Sequence, residues 1–148
     1  MAARRLFRPI KQPFTVSFGF HDRYPITPFY VLRGLAGKQH QAWDIAVPRG
    51  TSVHAPERMQ VHEVVSGPPR SWVGYGKFLR CISLEDKETE YYFAHLDVVP
   101  YPRVGKIWQA NEVCAWSGNT GYSTGPHVHF AIKYRGQFLD PGLVDWIG

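Results

Sequence analysis

The sequence predicts an all-β protein in which short antiparallel strands form a folded sheet or a sandwich, with little helix. Two observations on composition and one on pattern favour this class. Glycine (14 residues) and proline (12 residues) are frequent, and aromatic residues make up 15% of the chain. From residue 14 onward, short apolar segments alternate with turn-forming clusters, and helical periodicity is weak throughout.

The predicted strands have the length and composition of half-buried segments, and turn clusters bound each of them. They are residues 14–20, 43–47, 52–55, 59–66, 78–84, 90–96, 106–108, 113–116 and 127–134. Residues 85–89 are acidic and polar, which predicts a hairpin with a solvent-exposed tip. Residues 24–38 contain two prolines and two glycines and are predicted to be loop. A short helical turn is expected only near residues 143–146.

The 148 residues are enough for one domain with a core and too few for two. We expect residues 1–13, with four cationic and few apolar side chains, to form a basic and loosely held arm, and residues 14–148 to form the single domain. The arm lacks the ~7–15-residue apolar core of a signal peptide. No stretch approaches the ~18 consecutive apolar residues of a membrane span.

The formal net charge of +5 favours anionic partners such as nucleic acid, anionic lipid or cell-wall polymers. Solubility alone also accounts for such a charge. No cluster of arginine or lysine beyond the first dozen residues indicates a nucleic-acid groove, so no nucleic acid is expected as a partner.

The two cysteines, Cys81 and Cys114, lie in apolar strand-like segments and are predicted to be small buried packing residues. A single disulfide between them stays open from the sequence. A two-thiolate metal site is disfavoured, because the chain has no Cys-x-x-Cys spacing.

Seven histidines are present, and their spacing carries more information than their number. His127 and His129 flank one residue of an apolar segment, so a strand would project both from the same face, about 6.6 Å apart along the strand. Two polar residues on a solvent-exposed strand face, without any role in binding, would show the same pattern. The preceding glycine-rich loop, residues 117–126, favours a preorganised site instead. The spacing does not say whether one or both imidazoles bind a metal.

A second motif places His40 four residues before Asp44, at the entrance to a predicted strand. A carboxylate entering an apolar strand needs a proton, a hydrogen-bond network or a cation. Two imidazoles and one carboxylate with an open fourth position form a common catalytic zinc site. His95, in the strand-like sequence Tyr91-Tyr92-Phe93-Ala94-His95-Leu96, is a candidate for the same sheet face. His62-Glu63 is rejected as a His-Glu-x-x-His motif, because Ser66 stands where the second histidine is needed.

Taken together, the three motifs resemble those of the M23 family of zinc metallopeptidases, the lysostaphin- and LytM-type peptidoglycan endopeptidases. The motifs are His40-x-x-x-Asp44, Tyr92-Phe93-Ala94-His95-Leu96 and Gly125-Pro126-His127-Val128-His129-Phe130. The resemblance implies that His40, Asp44 and His129 bind Zn²⁺, and that His95 and His127 are catalytic histidines that do not bind the metal. It also implies a groove floored by one antiparallel sheet and walled by loops, for which residues 23–39 and 67–75 are candidates. Either Tyr24 or Tyr30 is a candidate for a tyrosine that assists the transition state.

The function expected from this resemblance is zinc-dependent hydrolysis of peptide bonds in peptidoglycan stem peptides or cross-bridges by a monomer. The alternative is a non-catalytic wall-binding or phage virion structural module that retains the fold. A zinc site in a nucleic-acid-binding β-domain is supported by charge alone. The expected place of action is the cell wall or periplasm. Without a visible signal peptide, phage delivery, a non-classical route and excision from a longer protein all stay open.

Overall fold

The computed structural model describes residues 5–148 and shows an almost entirely β-sheet protein. Its twelve strands are β1 Leu6–Phe7, β2 Thr15–Phe18, β3 Trp43–Ala46, β4 Ser52–His54, β5 Met59–Val65, β6 Lys77–Ser83, β7 Thr89–Val98, β8 Ile107–Trp108, β9 Val113–Ser117, β10 Val128–Tyr134, β11 Gln137–Leu139 and β12 Trp146–Ile147. One short α-helix, α1, spans Pro28–Leu32, and two 3₁₀ turns span Arg70–Trp72 and Pro141–Leu143. The predicted all-β class is confirmed.

Ten strands form one antiparallel sheet with β10 near its centre. The main path runs β2-β3-β10-β7-β6-β5-β8, while β9 pairs with both β7 and β4, and β11 extends the hairpin of β10. The β6–β7 hairpin has the predicted turn at residues 84–88. β1 and β12 pair in parallel as a separate two-stranded sheet. Antiparallel neighbours joined by short turns account for the frequent glycine and proline.

The central strand β10 has one apolar face and one polar face. Val128, Phe130 and Ile132 are fully buried in the main core cluster, which also contains the inward side chains of β3, β5 and β7. Side chains alternate along a strand, and His129 lies between the core residues Val128 and Phe130. The side chain of His129 therefore points to the opposite side of the sheet. In the register of the sheet, His129 lies opposite Asp44 on β3 and opposite Ala94 on β7. This pairing brings the two predicted motifs on β3 and β10 side by side.

β7 carries one extra residue at the place where it reaches the polar face. Its pairing with β6 shifts between Phe93 and Leu96, and His95 has a positive φ of 60°. Phe93 and Leu96 are both in the main core, so strict alternation would have put His95 on the core side. The bulge turns His95 onto the polar face instead, beside His129. The sequence does not reveal this irregularity.

The N-terminal segment differs from the loosely held arm that we expected over residues 1–13. Residues 1–4 lie outside the described part of the chain. Beyond them, Leu6 and Ile10 are fully buried in the main core, and β1 pairs with β12. The cationic side chains, which alternate with these apolar ones, had suggested an arm. Two well-placed aliphatic residues are sufficient to hold the segment in the core.

Two further local differences concern helix. Residues 24–38, predicted to be loop, include α1, which begins with Pro28 in its first turn and has no buried residue. The helical turn expected near residues 143–146 is a 3₁₀ turn two residues earlier, at Pro141–Leu143, and β12 follows it. Between residues 5 and 148, no helix has the length and apolar character to cross a membrane.

Cys81 and Cys114 are buried and form no disulfide with each other. The thiol of Cys114 lies 3.5 Å from the carbonyl oxygen of Val53. The prediction that both cysteines are buried packing residues is confirmed.

Candidate metal centre and its groove

The polar face of the sheet forms the floor of a groove of about 560 Å³. Asp44, His95, His127 and His129 all line it. One wall is formed by residues 24–35, including α1, and the other by residues 74–75 and 122–124. Residues 23–39 and 67–75, the two loops expected to wall a groove, both contribute. Residues 122–124 belong to the glycine-rich loop before His127, and their contribution to a wall was not predicted from the sequence.

Three ligand-type atoms converge at one end of the groove. His129 Nδ1 lies 3.1 Å from Asp44 Oδ1, and His40 Nε2 lies 3.3 Å from each of these two atoms. All three side chains are almost completely or largely buried. Ligand atoms bound to one zinc ion at about 2.0–2.1 Å in a tetrahedron are about 3.3 Å apart. The arrangement fits a small divalent cation, and these are the three residues that the resemblance to the M23 family implied as metal ligands.

The hydrogen bond on the far side of His40 determines which nitrogen faces this cluster. His40 Nδ1 donates to the carbonyl oxygen of Gly19 at 3.1 Å, since a carbonyl can only accept. The Nε2 atom therefore carries a lone pair towards Asp44 and His129. Burial alone would raise the pKa of Asp44, but the side chains of His129 and His40 next to the carboxylate outweigh it and hold that pKa well below its usual range. The carboxylate is thus ionised and available as a ligand.

His127 and His95 stand beside the cluster, and backbone carbonyls also fix their orientation. His127 Nδ1 lies 2.7 Å from the carbonyl oxygen of Gly125, and His95 Nδ1 lies 2.7 Å from that of Thr120. Both Nδ1 atoms must donate, which leaves both Nε2 atoms unprotonated when the rings are neutral. His127 Nε2 lies 3.5 Å from Asp44 Oδ1, and the ring centres of His95 and His127 are 4.8 Å apart.

Burial, followed by the charges of His129 and His127, lowers the pKa of His95 to about 4. Burial likewise lowers the pKa of His129. At neutral pH the imidazole of His95 is therefore neutral and able to accept a proton through Nε2.

A close contact between two backbone segments holds the carbonyl of Thr120 in place. Gly76 and Gly121 both have positive φ, and a Cβ atom on Gly76 would lie 2.5 Å from the carbonyl carbon of Thr120. A Cβ atom on Gly121 would lie 2.4 Å from the backbone nitrogen of Gly76. The hydroxyl of Thr120 also donates to the carbonyl oxygen of Leu96 at 2.7 Å. Both glycines are needed for residues 74–76 and 120–121 to approach so closely.

Three tyrosines lie in the groove near the cluster. The ring of Tyr24 packs edge-on against His40, with centroids 5.5 Å apart, and the ring of Tyr30 packs against that of Tyr24 with centroids 5.2 Å apart. Tyr75, which sequence analysis did not single out, lies with its ring centre 5.2 Å from that of His129. Burial and the nearby charge of Asp44 raise the pKa of Tyr24, and burial raises the pKa of Tyr75. Both phenols therefore remain protonated donors. The Gly-x-Gly pattern around Tyr75, which permits the tight loop, was the available sequence signal.

Comparison with known proteins gives a consistent family match. The family model described as Peptidase family M23 matches residues 38–141. A protein of Haemophilus influenzae named as an uncharacterized metalloprotease is 28% identical over 135 residues, which are 90% of this chain and 26% of that protein. The DD-carboxypeptidase/endopeptidase Mpg of Neisseria meningitidis serogroup B is 33% identical over 102 residues, covering 69% of this chain and 22% of its own.

The same match is found in three dimensions. The catalytic domain of the antimicrobial peptidase lysostaphin from Staphylococcus simulans superposes with a TM-score of 0.70 at 26% sequence identity, over 87% of this chain and 90% of that domain. The chain spans about a quarter of the length of the two relatives compared by sequence, and nearly the whole of this catalytic domain.

Proposed function

We propose that this chain, which belongs to peptidase family M23, is a metal-dependent peptidase, and more specifically a zinc endopeptidase that acts on peptidoglycan. The bonds cleaved would be peptide bonds in stem peptides or cross-bridges. The observation that carries the proposal is the convergence of His40, Asp44 and His129 within 3.1–3.3 Å of one another, beside two further imidazoles in one groove.

Zinc is the metal that the donor set favours. Two imidazole nitrogens and one carboxylate oxygen, with the groove open beside them, correspond to a catalytic zinc site rather than to the oxygen-rich sites of calcium or magnesium. In the proposed site, His40 binds through Nε2, His129 through Nδ1 and Asp44 through Oδ1. A zinc ion bound there would act as a Lewis acid towards the scissile carbonyl and lower the pKa of a water molecule.

The remaining groups handle protons. When their rings are neutral, His127 and His95 both have an unprotonated Nε2 atom, since carbonyl oxygens hold the proton on Nδ1. One imidazole is proposed to take the proton from the attacking water on its Nε2 atom, and the same proton is then passed to the leaving amine, directly or through the second imidazole. The protonated phenols of Tyr24 and Tyr75 are proposed donors to the developing oxyanion. Tyr24 is preferred to Tyr30, because Tyr24 contacts the ligand His40 directly.

The substrate class is supported by the relatives. One is named as a DD-carboxypeptidase/endopeptidase and another as an antimicrobial peptidase, names that fit bacterial wall peptides. The net charge of +5 would also attract the chain to anionic wall polymers. Action outside the cytoplasm, at the wall or in the periplasm, follows from this substrate.

The test is digestion of purified cell walls. We expect zinc-loaded protein to release new amino termini from walls of at least one type, a chelator to stop the release, and added zinc to restore it. Mass spectrometry of the released muropeptides would identify the bond. The exposed His62, outside the groove, provides a control variant, His62→Ala, that should cleave at the rate of the parent. If the zinc-loaded protein binds walls but leaves every peptide bond intact, a non-catalytic wall-binding role replaces the proposal.

A further inference from the structure

An arginine on the α1 wall points into the groove that holds the metal centre. Arg33 follows the last residue of α1, and its guanidinium lies between two aromatic rings. The guanidinium carbon is 3.7 Å from the ring centre of Phe29 and 4.3 Å from that of Tyr122, which belongs to the opposite wall. Arg33 lines the same groove as His95, His127 and His129. Stacking on both faces fixes the plane of the guanidinium.

The positive charge of Arg33 has no counterion among residues 5–148. Its Nη1 donates to the carbonyl oxygen of Phe29 at 2.8 Å, and its Nε is buried without a hydrogen-bond partner. By contrast, Arg70 and Arg80, which line a second pocket, both form ion pairs with Glu63. Among the described residues that line the groove, the only carboxylate is that of Asp44, which is held in the histidine cluster.

A half-buried cation with unused donors in a substrate groove lacks an anionic ligand. A planar guanidinium fits a carboxylate better than any other group found in peptides, because two parallel N–H groups can bind both oxygens. The rest of the wall is aromatic or apolar, with Phe18, Phe29, Leu32 and Leu35 lining the groove. On such an apolar wall, the guanidinium of Arg33 is the charged group that an anionic part of a ligand would bind.

We propose that Arg33 determines specificity by binding a free carboxylate of the peptide substrate close to the scissile bond. The inference rests on the proposed function. It adds a specificity to that function, because Arg33 would favour wall peptides with a free carboxyl group over amidated or uncharged ones. Arg33 is a binding residue here, and it takes no part in proton transfer.

The test compares two forms of one substrate. Walls stripped of phosphate-bearing polymers are N-acetylated, and half of the material then has its carboxyl groups converted into methylamides. Binding is measured by co-sedimentation at 4 °C in a zinc-loaded His95→Ala background, and cleavage by new amino termini in the parent background. The variants are Arg33→Gln, Arg33→Lys and Arg23→Gln. Arg23 lies on the same wall and donates to the carbonyl oxygen of Gly37 at 2.9 Å, but it does not line the groove.

We expect the parent protein to bind the carboxylate form about tenfold to hundredfold better than the methylamide form, as for a charge-assisted hydrogen bond. Arg33→Gln should abolish this preference, and Arg33→Lys should retain part of it. Arg23→Gln removes the same charge, so general attraction to the anionic wall changes equally, and the preference should persist.

Three results would overturn the inference. The first is a parent protein that binds both forms equally well, and the second is an Arg33→Gln variant that still prefers the carboxylate form. The third is an Arg33→Gln variant that loses binding to both forms equally, which would mean that Arg33 only holds the two walls together. Should Arg33→Gln fail to fold, the comparison of Arg33→Lys with Arg23→Gln decides. If the parent protein cleaves neither form but its binding preference depends on Arg33, the carboxylate site stands and the proposed activity fails.

Discussion

Three histidines of the candidate site have one nitrogen fixed by a main-chain carbonyl. Gly19, Thr120 and Gly125 accept from His40, His95 and His127 respectively. A carbonyl cannot exchange roles with the imidazole, so each ring presents the same nitrogen to the groove whatever the substrate. Whether a histidine is a metal ligand or a proton carrier therefore depends on where its Nε2 or Nδ1 atom points. Single substitutions should distinguish the proposed ligands from the proposed proton carriers.

Replacing a ligand and replacing a proton carrier should have different effects on metal content. We expect His40→Ala and Asp44→Ala to lose bound zinc and activity together, because each removes one of three donor atoms. His95→Ala should keep about one zinc per chain while turnover falls about 10²–10⁴-fold, the usual contribution of a general acid or base. Metal analysis after gel filtration measures the first quantity, with His62→Ala as the control. Full activity in His95→Ala would remove that residue from the mechanism.

The two cysteines should be chemically silent in the folded protein. Burial raises the pKa of Cys114 to about 12 and also raises that of Cys81. At pH 8, a thiol with that pKa is ionised in only about one molecule in ten thousand, and only the thiolate reacts. We expect no reaction with a thiol reagent under native conditions and two thiols per chain after denaturation. A fast-reacting thiol in the folded state would contradict the burial of both side chains.

Among the elements, β7 is the one whose local irregularity matters most for the site. Its bulge carries His95 away from the core face, at the cost of a left-handed backbone conformation with φ of 60°. Such conformations are unfavourable for any residue with a Cβ atom and are common at functional sites. Here the reason is visible, because a regular strand would bury His95 between Phe93 and Leu96.

This strain predicts an unusual order of stability. His95→Gly and His95→Ala both remove the imidazole, but only glycine adopts a positive φ without cost. We therefore expect the glycine variant to be more stable than the alanine variant by about 1 kcal/mol, the reverse of the order in a regular strand. Urea denaturation of the two variants measures the difference. Equal stabilities, or a more stable alanine variant, would mean that residue 95 is not held in this conformation.

The elements that sequence analysis predicted correctly share one property, which is that local information is sufficient for them. The strands of β5, β6, β7 and β10 follow from runs of apolar and β-branched residues between turns, within one or two residues at each end. β1, β11 and β12 are too short to have a pattern. β1 and β12 are defined by their pairing with each other across the chain, and β11 by its hairpin with β10. The bulge in β7 similarly depends on its neighbour β6.

The candidate site shows the same division. The same-face argument for His127 and His129 uses only the period of a strand, and both side chains lie in the groove. The choice of His129 as the ligand came from the resemblance, since spacing alone left it open. For Tyr75, the Gly-x-Gly pattern indicates a tight loop but not its place in the groove, because that place depends on the contact between Gly76 and Thr120, which are far apart in the chain.

For the whole molecule, the main core joins both ends of the chain to the sheet. Leu6 and Ile10 near one end and Val144 and Trp146 near the other pack in the same cluster as Phe130, on the side of the sheet away from the groove. The N-terminal segment thus contributes to the stability of the domain although it is remote from the metal centre.

Truncating one residue of this segment should reveal that contribution. We expect Leu6→Ala to lower the free energy of unfolding by about 2–5 kcal/mol, the range for a buried leucine that leaves a cavity. Leu143→Ala, at a residue that is 85% exposed, should change it by less than about 0.5 kcal/mol. Thermal denaturation of both variants provides the comparison. A Leu6→Ala variant as stable as Leu143→Ala would show that the segment is held no more tightly than an exposed loop.

The two sides of the groove are built differently, and this limits how new selectivities can arise. No residue of α1 is buried, so the wall that contains α1 tolerates replacement, lengthening or shortening without disturbing the core. On the opposite wall, Gly76 and Gly121 lie so close to neighbouring backbone atoms that there is no space even for a methyl group. Directed evolution of this scaffold should accordingly randomise residues 26–35 and leave residues 74–76 and 120–121 untouched.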